Sequence, residues 1–219
     1  MHTRKLSGIT QIRLIIIVAV LSLIAGFGLK QLMRSSGSQP AAKLQATILE
    51  PPHVVKDFRL LDHDGKPFTS ASLQGHWSFL FFGYTNCPDV CPTTLKVMQA
   101  AWQLIPHGAE VKAAPKMYFV SVDPDRDSLK SLKQYVQYFD PSFIGVTGPL
   151  DEIDKLTNQL MVLYGYEDKE KDSDQYVVNH SAQLLLLDPR GRLRAILPPP
   201  HKAANIAREF RIIRRQYGD

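Results

Sequence analysis

An α/β domain with a central mixed sheet flanked by helices is predicted for most of this chain, preceded by one apolar segment of membrane-spanning character. From Trp77 onward, short apolar runs alternate with stretches of three- and four-residue apolar spacing, and the last third closes on two leucine-rich runs around a turn and a final helix. A third observation is the uncharged run Leu14 to Leu29. The 219 residues suffice for one domain with a sizeable core plus a tail, and are thin for two. A composition of 44% hydrophobic and 21% charged residues argues against a disordered chain and against a polytopic membrane protein.

At the amino terminus, LIIIVAVLSLIAGFGL would span roughly 24 Å as a helix. Ile12, Leu32 and Met33 extend its apolar reach, and Arg13, Lys30 and Arg34 can snorkel, so residues 14–33 are expected to form a single transmembrane anchor. A cleaved signal peptide is the rival, since Arg4, Lys5 and Arg13 make a basic start, yet the apolar run exceeds the usual length of about 7–15 residues. A buried core helix is the third reading. Residues 1–13 are then a cytoplasmic tail and 34–53 a tether, with Ser35 to Ala42 polar and bearing Gly, Ser and Pro. Charges flanking the run are nearly balanced, so orientation rests on size, with the short tail inside and the long domain exported. The tail lacks an Arg-rich amphipathic transit signal, which favours a bacterial inner membrane with the domain in the periplasm over a mitochondrial inner membrane.

The domain is expected over 54–219. Phe58, Leu60 and Leu61 precede Asp62-His63-Asp64-Gly65 and Lys66-Pro67-Phe68, the pattern of a short hairpin around a Gly turn. Trp77 to Phe82, bounded by Gly75 and Gly83, suits a strand covered on both faces. Leu95, Met98, Trp102 and Ile105 mark a helix from Thr93 to about Ile105, ended by Pro106. A strand at Met117 to Val122, a helix at Ser128 to Phe139, an extended piece at Phe143 to Val146 and a helix from Asp151 to about Leu163 follow. Such alternation implies parallel pairing. Leu184 to Leu187 and Leu193 to Leu197 flank Asp188-Pro189-Arg190-Gly191-Arg192 as an antiparallel hairpin, and Lys202 to Tyr217 forms the closing helix. This order is the thioredoxin-like plan.

The net charge of +5 is dispersed, apart from Arg208, Arg211, Arg214 and Arg215, which read as a solvated helical face; no nucleic-acid partner is expected. Chemistry concentrates instead at the two cysteines, four apart in Gly83-Tyr84-Thr85-Asn86-Cys87-Pro88-Asp89-Val90-Cys91-Pro92. They stand where a buried strand ends and a helix begins, the edge at which α/β folds gather functional loops. Pro92 suits the first helical position, which would put Cys91 at the N-cap, where the helix dipole favours thiolate. A structural disulfide across so short a loop would restrain the unfolded chain only weakly. A redox-active pair or a metal site explains the placement better. Three intervening residues depart from the Cys-x-x-Cys of thiol oxidoreductases, and two thiolates suit a soft ion such as Cu(I).

Seven histidines compete as a third ligand. His180, in Val178-Asn179-His180-Ser181 after the polar stretch Glu167 to Gln175, stands out by position, with His201 second. Asp123 and Asp125-Arg126-Asp127 follow a strand at the same edge; they are candidates to approach a metal or partner, against an ordinary role as helix caps.

Phe82 to Pro92, Val120-Ser121-Val122-Asp123-Pro124-Asp125-Arg126-Asp127 and Val178-Asn179-His180-Ser181 together resemble the signature blocks of the SCO/SenC family, with a likeness running from about Val54 to Phe210. The resemblance implies a copper metallochaperone for the dinuclear copper centre of cytochrome c oxidase, with Cys87, Cys91 and His180 as ligands of Cu(I) or Cu(II). It further implies a copper-accepting oxidase subunit, a copper donor chaperone and a thiol reductase as partners. The alternative is a thiol-disulfide oxidoreductase acting on cysteines of the oxidase subunit or of other exported proteins; a peroxidase on the same fold has no peroxide pocket marked in the sequence.

Overall fold

The computed structural model describes residues 17–23, 26–27, 44–107, 114–167 and 176–218. The chain divides into two compact units, Met1–Lys43 and Leu44–Asp219. Of the expected anchor, the described residues 17–23 and 26–27 are helical and exposed, and the remainder, with the tail and residues 34–43 of the tether, lies outside the described residues. Among the described residues, no helix is long and apolar enough to cross a membrane.

The second unit carries strands β1 (Thr47–Val54), β2 (Arg59–Asp62), β3 (Pro67–Thr69), β4 (Ser78–Gly83), β5 (Lys116–Ser121), β6 (Ile144–Thr147), β7 (Tyr164–Glu167), β8 (Val177–His180), β9 (Leu184–Leu187) and β10 (Arg192–Leu197). Its helices are α1 (Val90–Trp102), α2 (Leu129–Phe139), α3 (Leu150–Gln159) and α4 (Ala203–Tyr217). The main sheet runs in the order β1-β10-β9-β4-β5-β6-β2-β3, and β7 with β8 forms a separate ribbon.

Every residue of β4 is buried, as its unbroken apolar run requires. It pairs in parallel with β5 and antiparallel with β9, and β5 in turn pairs in parallel with β6. On one face Phe79 meets Trp102 of α1 edge-on at 6.3 Å and Phe210 of α4 at 5.2 Å. On the other, Tyr118 packs on Phe68 at 4.8 Å. The Gly65 turn is left-handed, with φ of 79°, which explains a glycine between β2 and β3. These elements form the α/β thioredoxin-like architecture that the alternation predicts.

Several boundaries differ, and one pair of strands was not expected. Residues 47–53, expected in the tether, belong to the sheet as edge strand β1, paired with β10. Their largely exposed side chains and Pro51-Pro52 hide a strand whose place is set by a partner far along the chain. Buried Glu209 fixes its approach by accepting from the backbone N–H groups of Gln45 at 2.7 Å and Ala46 at 3.2 Å. Helix α1 starts at Val90 rather than Thr93, with Asp89 at the N-cap. Pro92 then lies inside the first turn, where backbone N–H groups lack helical partners and proline is tolerated. Helix α3 ends at Gln159, ahead of Met161 with its positive φ of 57°. The ribbon of β7 and β8 alternates in burial, but each strand has only four residues, too few for the pattern to stand out in the sequence.

His76 is buried against the Tyr118 hydroxyl at 3.1 Å, and burial, helped by the charge of Lys116, pushes its pKa down to about 4. The neutral ring thus contributes stability that is complete above the unfolded value near 6.5 and is lost as pH falls through about 4. In urea titrations from pH 7.5 to 4, the stability advantage of the wild type over His76→Gln is expected to shrink steadily across that window. A constant difference would place the protonation elsewhere.

Candidate metal centre

Parallel pairing extends to Gly83 opposite Ser121, and Val122 N–H donates to the Gly83 carbonyl at 2.9 Å. The loops that follow β4 and β5 therefore leave the sheet side by side. Strand β9 runs the opposite way, with Leu184 opposite Phe81, so the chain arriving from β8 reaches the same edge. This brings His180, the last residue of β8, to the cysteine loop.

The Sγ atoms of Cys87 and Cys91 and one ring nitrogen of His180 all lie within 4.8 Å of one another, and no other cluster of three or more such ligands occurs among the described residues. Both cysteines are buried free thiols, Cys91 completely, while His180 is partly exposed. Cys91 Sγ stands 3.2 Å from His180 Nε2. The other ring nitrogen, Nδ1, faces the Ser181 carbonyl at 3.2 Å, which orients the ring with Nε2 toward the thiols. Phe81 and Tyr84 meet the ring edge-on at 6.0 and 6.1 Å.

The two thiols are unequal. The Cys91 side chain, donating to Cys87 Sγ, is the main cause holding the Cys87 thiol down to about 3, against the opposing effect of burial. The Cys91 backbone N–H also donates to Cys87 Sγ, at 3.4 Å. Hydrogen bonding to the Cys87 thiolate, joined by complete burial, pushes Cys91 the other way. The expectation that Cys91 sits at the N-cap is corrected, since Asp89 holds that position. Cys91 lies within the first turn, and its amide, one of those left without a helical partner, stabilises the charge on Cys87.

Gly83 is required by the same packing. A Cβ there would lie 2.6 Å from Cys91 Sγ and 2.9 Å from Phe119 Cε2. The donor set is soft and convergent, hydrogen bonds from Cys91 favour the thiolate form of Cys87, and the imidazole is oriented by a backbone carbonyl, so these residues fit a thiophilic ion such as copper.

A sequence model of the SCO1/SenC family matches residues 46–214. The chain belongs to the SCO1/SenC family. It is 33% identical over 184 residues to an SCO2-like protein of Rickettsia conorii, covering 83% of this chain and 88% of that protein. Among solved structures it resembles Arabidopsis thaliana ScoI with copper bound, at 34% identity and a TM-score of 0.67, over 75% of this chain and 99% of the other. Bradyrhizobium japonicum ScoI with copper bound aligns at 30% identity and a TM-score of 0.63, over 73% and 99% of the two chains.

In this SCO1/SenC chain the other sequence candidates lie apart from the ligand cluster. His201 Nε2 faces the Ala182 carbonyl at 2.8 Å. Asp123 is fully buried and ion-paired to Arg126 at 2.5 Å, and Ser128 rather than Asp123 caps α2, accepting from Ser131 N–H at 3.1 Å. Asp127, which the sequence reading carried only as part of that acidic stretch, is the carboxylate that touches the cysteine loop. It accepts from Thr85 N–H at 3.0 Å and from the Thr85 hydroxyl at 2.5 Å.

Two outcomes follow from this geometry. Iodoacetamide alkylation of the first thiol is expected to have its pH midpoint far below the ordinary cysteine value, and Cys91→Ala should raise it by removing the S–H donor; an unchanged midpoint would mean that Cys91 is not the cause. Gly83→Ala should lower urea stability by about 1–3 kcal/mol through overpacking against Cys91 and Phe119.

Proposed function

We propose that this protein is a membrane-anchored copper metallochaperone. It takes up copper on Cys87, Cys91 and His180 and delivers it to the copper-accepting subunit of cytochrome c oxidase during assembly of the dinuclear copper centre. The convergence of two thiols and one imidazole within 4.8 Å carries this reading, and the copper bound to the solved ScoI relatives supports it. The oxidase as recipient follows from the resemblance of the three sequence blocks to the SCO/SenC family.

Copper is here the cargo. The Cys87 thiolate receives the ion without first losing a proton, and Cys91 gives up its proton as it becomes the second thiolate. His180 completes the set through Nε2. A cavity of about 310 Å³, lined by Leu163, Tyr164, Gly165, Asn179, His180 and Ser181, opens beside the imidazole. Acceptor ligands arriving there would displace His180 first and the buried thiolates afterwards. Anchoring through residues 14–33, with the domain on the periplasmic side of a bacterial inner membrane, would hold the site near a membrane-embedded client and raise its local concentration. A copper donor chaperone and a thiol reductase complete the proposed partners.

One observation favours a second reading, a thiol-disulfide oxidoreductase. An acidic, slightly accessible thiol at Cys87 beside a buried, proton-bearing thiol at Cys91 is the asymmetry that exchange requires. The Cys87 thiolate would attack a client disulfide and release one client thiolate. Cys91 would then displace the second, leaving the client reduced by two electrons and the pair oxidised.

Competition titration of the reduced full-length protein with Cu(I) separates the readings. One tight equivalent is expected, lost in Cys87→Ala and Cys91→Ala and weakened without being lost in His180→Ala. Unchanged affinity in Cys87→Ala would overturn the metallochaperone. Client reduction that survives His180→Ala, in a protein without tight Cu(I) binding, would establish the oxidoreductase.

A further inference from the structure

The three ligands come from two pieces of chain that strand direction brings to one edge of the sheet but that do not pair with each other. Cys87 and Cys91 flank the start of α1, whereas His180 ends a two-stranded ribbon that hydrogen-bonds to no strand of the main sheet. Such a ribbon has little stability of its own and takes its position from what it packs against. Between the ribbon and the cysteine loop lies the segment after β5, residues 123–127.

That segment reaches in both directions. The Asp127 side chain, 1% exposed, accepts from Thr85 N–H at 3.0 Å, from the Thr85 hydroxyl at 2.5 Å and from the Ser121 hydroxyl at 2.6 Å. Thr85 adjoins Tyr84, whose carbonyl accepts from Cys87 N–H at 3.3 Å, so fixing Thr85 fixes the turn that presents Cys87. Arg126 points to the ribbon. Its Nη1 donates to the Tyr176 carbonyl at 3.0 Å, and its guanidinium lies 3.6 Å from the Tyr176 ring centre and 5.4 Å from that of Tyr84. Asp123 braces both, binding Arg126 Nε at 2.5 Å and accepting from the Tyr176 hydroxyl at 2.5 Å. Tyr176 immediately precedes β8, and Tyr166 of β7 donates to the Val122 carbonyl at 2.7 Å.

We infer that residues 123–127 act as a two-armed spacer for the metal ligands, with Asp127 positioning the cysteine loop through Thr85 and Arg126 positioning the His180 ribbon through Tyr176. This rests on the metal-site reading above and names residues outside the ligand set. Stability is a weak reason for a buried ion pair here, because desolvating both charges offsets much of their attraction. A planar guanidinium held by a carboxylate, a carbonyl and two rings fixes direction as well as distance, which a flexible cation or an apolar pair does not. Its geometry matches the need, since a displaced ribbon removes one ligand while a displaced loop disturbs the thiol pair.

The test measures Cu(I) affinity by competition for Arg126→Gln and Asp127→Asn, each alone and combined with His180→Ala, together with backbone amide NMR of the metal-free full chain. Arg126→Gln should weaken binding about tenfold in the wild type and add nothing once His180 is removed. Asp127→Asn should weaken it by about the same factor in both backgrounds. In the metal-free protein Arg126→Gln should shift amides 177–181 and leave 86–91 in place, with the reverse for Asp127→Asn; Tyr84, which Arg126 also faces, is left out of the comparison. Should Arg126→Gln fail to fold, Tyr176→Phe, which removes the hydroxyl bond to Asp123, is expected to show the ribbon pattern at smaller amplitude. Additive losses for Arg126→Gln and His180→Ala, or amide shifts that do not separate by arm, would overturn the proposal. Absence of tight Cu(I) binding by the wild type would overturn the metal reading instead, and the amide pattern would still decide whether the two arms exist.

Discussion

Parallel pairing of β4 with β5, in register from Ser78 opposite Lys116 to Gly83 opposite Ser121, makes both strands end at one edge of the sheet. Each then releases its loop there, one with the cysteines and one with Asp123 to Asp127. Antiparallel β9 begins at that edge and draws His180 toward it. All three parts of the site converge because of strand direction, before any side chain is considered. The buried faces of β4 hold that arrangement in place, with Phe79 wedged between Trp102 and Phe210.

Within the edge, crowding and charge divide the work. Gly83 has no side chain because Cys91 Sγ and Phe119 occupy the space where one would begin. That closeness keeps Cys91 out of water and in its thiol form, able to donate to Cys87. Cys87 gathers the S–H and the first-turn N–H of Cys91, so one negative charge is stabilised where a cation would be received. The same inequality suits thiol exchange, which is why thiol acidity alone does not separate copper delivery from redox work. His180, which exchange does not require, is oriented by its own hydrogen bond to Ser181.

Much of this was legible in the chain, for reasons that differ from element to element. β4 and β9 announce themselves as apolar runs because both their faces are covered, and α2 because its apolar residues recur on one side. β1 was read as tether because an edge strand with exposed side chains leaves no pattern; only its pairing with β10 defines it. The ribbon of β7 and β8 is hidden by its shortness instead, two strands of four residues each. Asp127 was visible merely as one acidic residue among several, and nothing in its neighbours in sequence distinguishes a buried anchor for Thr85 from a solvated carboxylate.

The amino-acid sequence by itself determined the local facts: which segments bury both faces, where turns fall, that the two cysteines stand four apart at a strand-to-helix junction, and that an apolar run precedes the domain. Only the tertiary structure decided that His180, 89 residues beyond Cys91, faces it at 3.2 Å, that the Cys91 amide donates to Cys87 Sγ, and that Arg126 and Asp127 stand between the two halves of the site. Patterns along a chain report how each segment meets water or core. Distances between remote side chains depend instead on strand order and register, which arise only when the whole sheet assembles.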